Sequence, residues 1–165
     1  MATTYEPIAT TTLGTAAASI TFSSIAATYT DLRLVIVGTG TTNNTYPLFR
    51  FNSDSSSLYS TTRLSGNGTS ASSVNNAGTG LLVTINALLS DTIPSMWTLD
   101  VFSYAGSTHK SSLATVSADR NGSGAIERAV GLYRSTSAIT TVAAVMASST
   151  FATGTTATLY GILKA

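Results

Sequence analysis

Trp97-Thr98-Leu99-Asp100-Val101 alternates large apolar and polar side chains with a period of two. That is the mark of a strand with one face buried and the other turned outward. The same alternation sets Ile20 and Phe22 between Ser19, Thr21 and Ser23, and places Phe49 and Phe51 on either side of Arg50. Near the C-terminal end, Leu159, Gly161 and Leu163 interleave with Thr158, Tyr160 and Ile162. Leu34-Val35-Ile36-Val37 and Leu81-Leu82-Val83 are apolar at every position and read as strands covered on both sides. β-Branched side chains and a flanking glycine favour strand over buried helix for the first of these.

Turn-forming residues interrupt the pattern at close intervals. Gly38 to Asn44, Ser65 to Gly68, Asn75 to Gly80, Asn121 to Gly124 and Ala152 to Gly154 all contain residues that tolerate positive φ. The spacing predicts strands near 8–13, 18–23, 30–37, 46–52, 79–86, 95–103, 111–118, 125–133, 138–146 and 156–163. Residues 55–64 fit either a short helix or another strand. About ten short strands with no strand–helix alternation predict an all-β fold, an antiparallel β-sandwich or jelly roll. Ile20, Phe22, Leu34, Ile36, Phe49, Phe51, Trp97, Leu99, Val101, Leu132 and Leu159 are the expected core.

No composition break and no fixed-period repeat divides the chain, which predicts one domain over residues 8–165. The polar stretches Gly38 to Asn44 and Ser65 to Gly80 read as long loops. Residues 1–7 read as an N-terminal arm. Tyr5, Pro7 and Ile8 are its candidate interface residues: an amphipathic ring, a backbone already restricted before docking, and an apolar side chain.

The 165 residues are long enough to bury a core without covalent staples. Hydrophobic residues make up 43% and charged residues 9%, which is too apolar for a disordered chain, although about a third of the residues are Ser or Thr. The formal net charge is +1 and the basic residues are scattered, so no electrostatic footprint for nucleic acid or anionic lipid emerges. No apolar run approaches the length needed to span a bilayer. The N-terminus lacks the basic and apolar regions of a signal peptide, which predicts no export by that route. With no cysteine, disulfides and thiolate metal sites are excluded.

Catalytic chemistry finds little to work with. His109 is the only histidine and lies in Gly106-Ser107-Thr108-His109-Lys110 between two predicted strands. A base or metal ligand needs a partner constellation, so it reads as a loop residue. The carboxylates Glu6, Asp31, Asp54, Asp91, Asp100, Asp119 and Glu127 are dispersed, and no facing pair of the glycosidase kind stands out. They read as structural or solvated, with Asp119 and Glu127 neighbouring Arg120 and Arg128. Asn52-Ser53-Asp54 is too poor in carboxylates for a calcium loop and fits a turn held by Asx side chains. Asn43, Asn67 and Asn121 begin N-x-S/T triplets, which chance supplies in so hydroxyl-rich a chain. Trp97 reads as core, and Tyr46, Tyr59, Tyr104 and Tyr133 as surface aromatics near strand ends. The reading therefore contains no catalytic, cofactor-binding or metal-binding residues.

Three stretches are similar to a group of β-sandwich virion proteins of tailed bacteriophages, of the cyanophage type. They are Ser19 to Thr39, SITFSSIAATYTDLRLVIVGT; Phe49 to Leu64, FRFNSDSSSLYSTTRL; and Gly131 to Val142, GLYRSTSAITTV, followed by Phe151 to Leu163, FATGTTATLYGIL. The second resembles an Arg-Phe-Asn-Gly-Asp run followed by a Tyr-rich segment, with Ser53 standing where the group commonly has glycine. The resemblance implies a non-enzymatic virion component without cofactors, made in the host cytoplasm and carried on the virion. Its first form is a capsid decoration (cement) protein that binds the major capsid protein on the outer shell. The alternative is a tail-fibre or receptor-binding head module that recognises host surface polysaccharide. The resemblance also implies a homotrimer, with neither nucleic acid nor membrane as partner.

Overall fold

The computed structural model describes residues 4–84 and 89–163. Eleven antiparallel strands follow in order: β1 Tyr5–Thr12, β2 Ser19–Phe22, β3 Asp31–Gly38, β4 Pro47–Phe51, β5 Tyr59–Gly66, β6 Ala71–Gly78, β7 Ser95–Val101, β8 Lys110–Ala118, β9 Ala125–Tyr133, β10 Val142–Met146 and β11 Thr156–Ile162. They form an eight-stranded sheet in the order β1-β11-β3-β7-β8-β9-β5-β6 and a three-stranded sheet in the order β2-β10-β4. The fold is an all-β sandwich. Among the described residues, no helix is long and apolar enough to cross a membrane.

Period-two patterning builds the core directly. On β3, Leu32, Leu34 and Ile36 face inward, and on β7 Trp97, Leu99 and Val101 do the same, cross-strand partners in register. The small sheet answers with Ile20 and Phe22 from β2, Val142 and Ala144 from β10, and Phe49 and Phe51 from β4. Each large aliphatic or aromatic side chain so buried contributes about 1.5–3 kcal/mol relative to exposure. Trp97, Phe49 and Phe51 are wholly buried.

Several expectations shift. Leu132 is not in the core proper: the inward parity of β9 belongs to Glu127, Ala129, Gly131 and Tyr133, and Leu132 takes the opposite face, half-buried. Of the strand expected over 79–86, the described residues 79–84 form none. Leu81 makes a bridge to Phe49, its N–H and C=O exchanging bonds of 2.8 and 3.2 Å, while residues 85 and 86 lie outside the described set. The supposed loop from Ser65 to Gly80 is largely a hairpin, since β5 runs to Gly66 and β6 returns from Ala71. Of the two readings of residues 55–64, strand is the one that holds, from Tyr59 where β5 begins, and no helix forms there. The strand expected over 138–146 is confined to Val142–Met146.

The N-terminal boundary also moves. β1 starts at Tyr5 and pairs with β11, Tyr5 opposite Ile162 and Pro7 opposite Tyr160, so Tyr5 to Pro7 belong to the sheet and are not an arm preceding it. A bulge between Pro7 and Ala9 leaves Ile8 out of register, and Ile8 packs partly buried against the core. Proline is accommodated because β1 is an edge strand.

One close approach ties the β2–β3 connection to the sheet. A Cβ placed on Gly161 would lie 2.3 Å from ring atoms of Tyr29. Tyr29 is held in turn through its N–H, which donates to the Tyr104 hydroxyl at 3.3 Å, and that hydroxyl donates to the Ala26 carbonyl. Gly161→Ala should therefore cost about 1–3 kcal/mol, the usual penalty of overpacking. Denaturant titration of G161A, Y29A and the double variant should give a clearly non-additive cycle, because removing the ring removes the clash.

Candidate functional site

His109 sits in an exposed loop, and its neighbour Lys110 is the structural residue of that segment. The Lys110 ammonium is wholly buried and donates to the carbonyls of Gly106 (2.7 Å) and Thr108. Burial pushes its pKa down. Among the described residues, no group of three or more His, Asp or Glu side chains converges to hold a metal ion.

Several of the carboxylates have local structural partners. Asp31 accepts the Ser103 N–H at 2.7 Å, and Asp119 accepts the Gly122 N–H at 2.9 Å. For Glu127 the structural alternative holds: it is buried, and the alternation of β9 sends Arg128 to the opposite, exposed face. Asp100 lies 3.4 Å from the Arg33 guanidinium across β3 and β7. Desolvation raises the Asp100 pKa, with Asp31 adding to the shift and Arg33 and Arg128 opposing it.

The Asn52-Ser53-Asp54 segment is a tight turn. The Asp54 N–H donates to the Phe51 carbonyl at 2.9 Å, and both central residues are left-handed, Asn52 at φ 53° and Ser53 at φ 56°, as a type I′ turn requires. Asn52 locks the turn to the β9–β10 connection. Its Nδ2 donates to Ala138 O at 2.8 Å, and its Oδ1 accepts the N–H of Thr140 at 2.8 Å and of Thr141 at 3.2 Å. Asp54 accepts from the Ser56 N–H at 2.7 Å and from the Tyr133 hydroxyl at 2.8 Å.

Three aromatics meet behind this turn. Tyr59 and Tyr133 are cross-strand partners whose rings stack at 4.7 Å and 17°, and Phe51 approaches them at 6.1 and 5.5 Å. Tyr59, Tyr133 and also Tyr104 are buried rather than surface aromatics. Their positions near strand ends are correct, but these ends lie under loops. Tyr46 is half-buried. Burial raises the pKa of both Tyr59 and Tyr133, and Asp54 adds to it at Tyr133.

What remains available for recognition is the outer face of the eight-stranded sheet. Strand register lays its side chains out in rows. One runs Pro7, Tyr160, Arg33, Asp100, Leu113, Val130, Thr62 and Asn75 across the sheet. At its β1 end, Tyr5 stands edge-on to Tyr160 at 6.4 Å and accepts a bond from Arg33 at 3.2 Å. Of the three residues singled out in the sequence, Tyr5 and Pro7 are exposed here, and Ile8 is turned to the core.

The opposite part of this face carries exposed apolar side chains interspersed with polar ones such as Arg128 and Thr62. Leu64, Ile126 and Val130 are 60%, 59% and 54% exposed, with Val37 and Met96 further along. Val37, Met96 and Ile126 floor a groove of about 500 Å³ walled by the Gly66–Gly68 and Asp119–Gly124 loops. A second groove of about 400 Å³ combines Ser60, Thr62, Asn75 and Ser111 with Val130 and Leu132. Sequence reasoning missed this surface because β9 carries apolar side chains on both parities. A charged residue, Glu127, stands on the inward parity of this strand.

No protein-family model matches the chain, and no curated protein matches it. Among solved structures, the galectin LEC-6 of Caenorhabditis elegans is similar at 9% sequence identity over 91% of this chain and 94% of that chain, with a TM-score of 0.35. A likeness at that level carries no argument about sites or ligands.

Two outcomes follow from the turn. Ser53→Gly removes the strain of an L side chain at positive φ, offset in part by the greater freedom of glycine in the unfolded chain. The variant should gain about 0.5–1 kcal/mol, a rise of roughly 1–4 °C in Tm by calorimetry. Hydrogen bonds from Ser56 and then Tyr133 hold the Asp54 carboxyl below its ordinary value of 3.8. A depressed folded-state pKa contributes stability that is present above the unfolded value and lost as pH falls through the folded one. Denaturant midpoints measured from neutral pH down through the acid range should therefore fall less steeply for Asp54→Asn than for the unaltered chain.

Proposed function

We propose that the chain is a structural virion protein of a tailed bacteriophage, a capsid decoration protein that binds the outer shell and stabilises it. The observation that carries this reading is the outer sheet face, where a regular β surface holds Leu64, Ile126 and Val130 more than half exposed. Exposed apolar side chains clustered on one face mark a protein-docking surface. The three stretches similar to β-sandwich virion proteins supply the class of particle. The partner is the major capsid protein. Modest contacts repeated over many equivalent sites would sum to a large stabilisation of the shell.

A second reading has its own observation. The groove of hydroxyl and amide groups from Ser60, Thr62, Asn75 and Ser111 beside Val130 and Leu132 suits a sugar, and a tail-fibre or receptor-binding head module would use it for host polysaccharide.

Position in the particle separates the two. Immunogold labelling and quantitative mass spectrometry of virions from the phage that encodes the chain should find many copies spread over the shell. A few copies confined to the tail would replace the first reading with the second, and absence from virions would overturn both. Ile126→Asp and Val130→Asp should leave stability within about 0.5 kcal/mol, as surface substitutions do. Both should lower occupancy on capsids by roughly tenfold or more, on the scale of a disrupted interface anchor. Unchanged occupancy would remove this face from the contact.

A further inference from the structure

The two edges of the eight-stranded sheet are protected very differently. β1 carries Pro7, a bulge and the charged Glu6, three devices that discourage pairing with another chain. β6, the opposite edge, has none of them. Its eight residues, Ala-Ser-Ser-Val-Asn-Asn-Ala-Gly, include no proline and no charge, and they pair with β5 without a shift in register. Six of the eight are exposed, so the strand stands beyond the sandwich with both faces largely in solvent.

The hairpin decides which backbone groups of β6 are unused. The Asn67 N–H donates to the Ser70 carbonyl at 3.2 Å, closing the turn. Counting outward in the register of β5 and β6, residues 72, 74, 76 and 78 turn their backbone groups toward β5, since bonded and non-bonded pairs alternate. The N–H and C=O of Ala71, Ser73, Asn75 and Ala77 therefore point away from the sheet, and among the described residues no further strand lies beyond β6.

We infer that β6 pairs antiparallel with β6 of a second copy of this chain, about a twofold axis at Val74, joining two sheets into one. The strand is built as its own complement. With Val74 opposite Val74, Ser73 meets Asn75, Ser72 meets Asn76 and Ala71 meets Ala77. Small faces small, hydroxyl faces amide, and the one branched apolar side chain faces itself. The outward-pointing residues fall into facing bonded pairs in this register, about eight interchain hydrogen bonds at two per pair. No charge is set against its own image, which would otherwise oppose an isologous contact. Because β1 is guarded, the pairing closes at two copies and does not propagate. A twofold dimer departs from the threefold grouping that the resemblance implies. The pairing needs no capsid and holds or fails on the isolated chain.

Sedimentation of the full chain over a range of concentrations should show a species of twice 16.9 kDa. Asn75→Pro deletes one outward N–H at an edge position where proline is tolerated, and should shift the chain to monomer with unchanged far-UV circular dichroism. The chain has no cysteine, so single cysteines report the register. Val74→Cys should form a disulfide-linked dimer under mild oxidation, since facing strand positions bring the Cα atoms into bonding range. Ser72→Cys, offset from its own copy, should not. A monomer at every concentration, a trimer, a dimer that survives Asn75→Pro, or equal cross-linking at positions 72 and 74 would each overturn the inference.

Discussion

The two sheets are buckled together by one aromatic contact on which the neighbouring loops depend. Phe51 comes from the edge strand of the small sheet, and Tyr59 and Tyr133 from adjacent strands of the large one. The Tyr59 hydroxyl accepts the Phe51 N–H at 3.0 Å and lies 3.1 Å from the Asp54 carbonyl. A backbone edge that would otherwise be buried without a partner is thereby satisfied. Asp54 then takes the Tyr133 hydroxyl, and Asn52 fastens the β9–β10 connection. The sequence of this turn is thus explained by packing and hydrogen bonding, with no ligand required.

Unequal sheet widths set the character of the surface. Three strands cannot cover eight, so the inner face changes along the sheet. Under the small sheet it is Leu34, Leu99 and Ala114; toward β9 and β5 it becomes Glu127, Arg63, Thr61 and Ser65. Arg63 and Thr61 there donate to the Leu82 carbonyl at 2.8 and 3.0 Å, so the 79–84 segment covers what the small sheet leaves open. β6 lies past this cover. Among the described residues no second layer covers the outer face, which is why apolar side chains on it stay exposed.

Legibility followed the chemistry of each strand. β3 and β7 were plain because their inward positions are large and apolar and the outward positions of β7 include Thr98 and Asp100. β6 was hidden because Ser, Asn and Ala carry no strand propensity and Asn75-Asn76 imitates a turn. Its strand conformation comes from the ladder with β5 and owes nothing to burial. The inward-facing tyrosines were misplaced for a related reason: a tyrosine near a strand end reads as surface unless one knows that Asp54 and the backbone around it are waiting for its hydroxyl. Ser53 stands where the resembling group commonly has glycine, and its φ of 56° shows why the position favours glycine.

By itself, the sequence determined the all-β class, most of the strands and ten of the eleven named core residues, because period-two burial is a local property carried by neighbouring side chains. It also determined that Asn52 to Asp54 would be a turn. Only the tertiary structure decided which face of β9 meets the core, that Ile8 turns inward while Tyr5 and Pro7 lie on the outer face, and that β6 is an open edge while β1 is a guarded one. Those outcomes depend on which strands become neighbours and how far one sheet extends past the other. No short window of sequence contains that information.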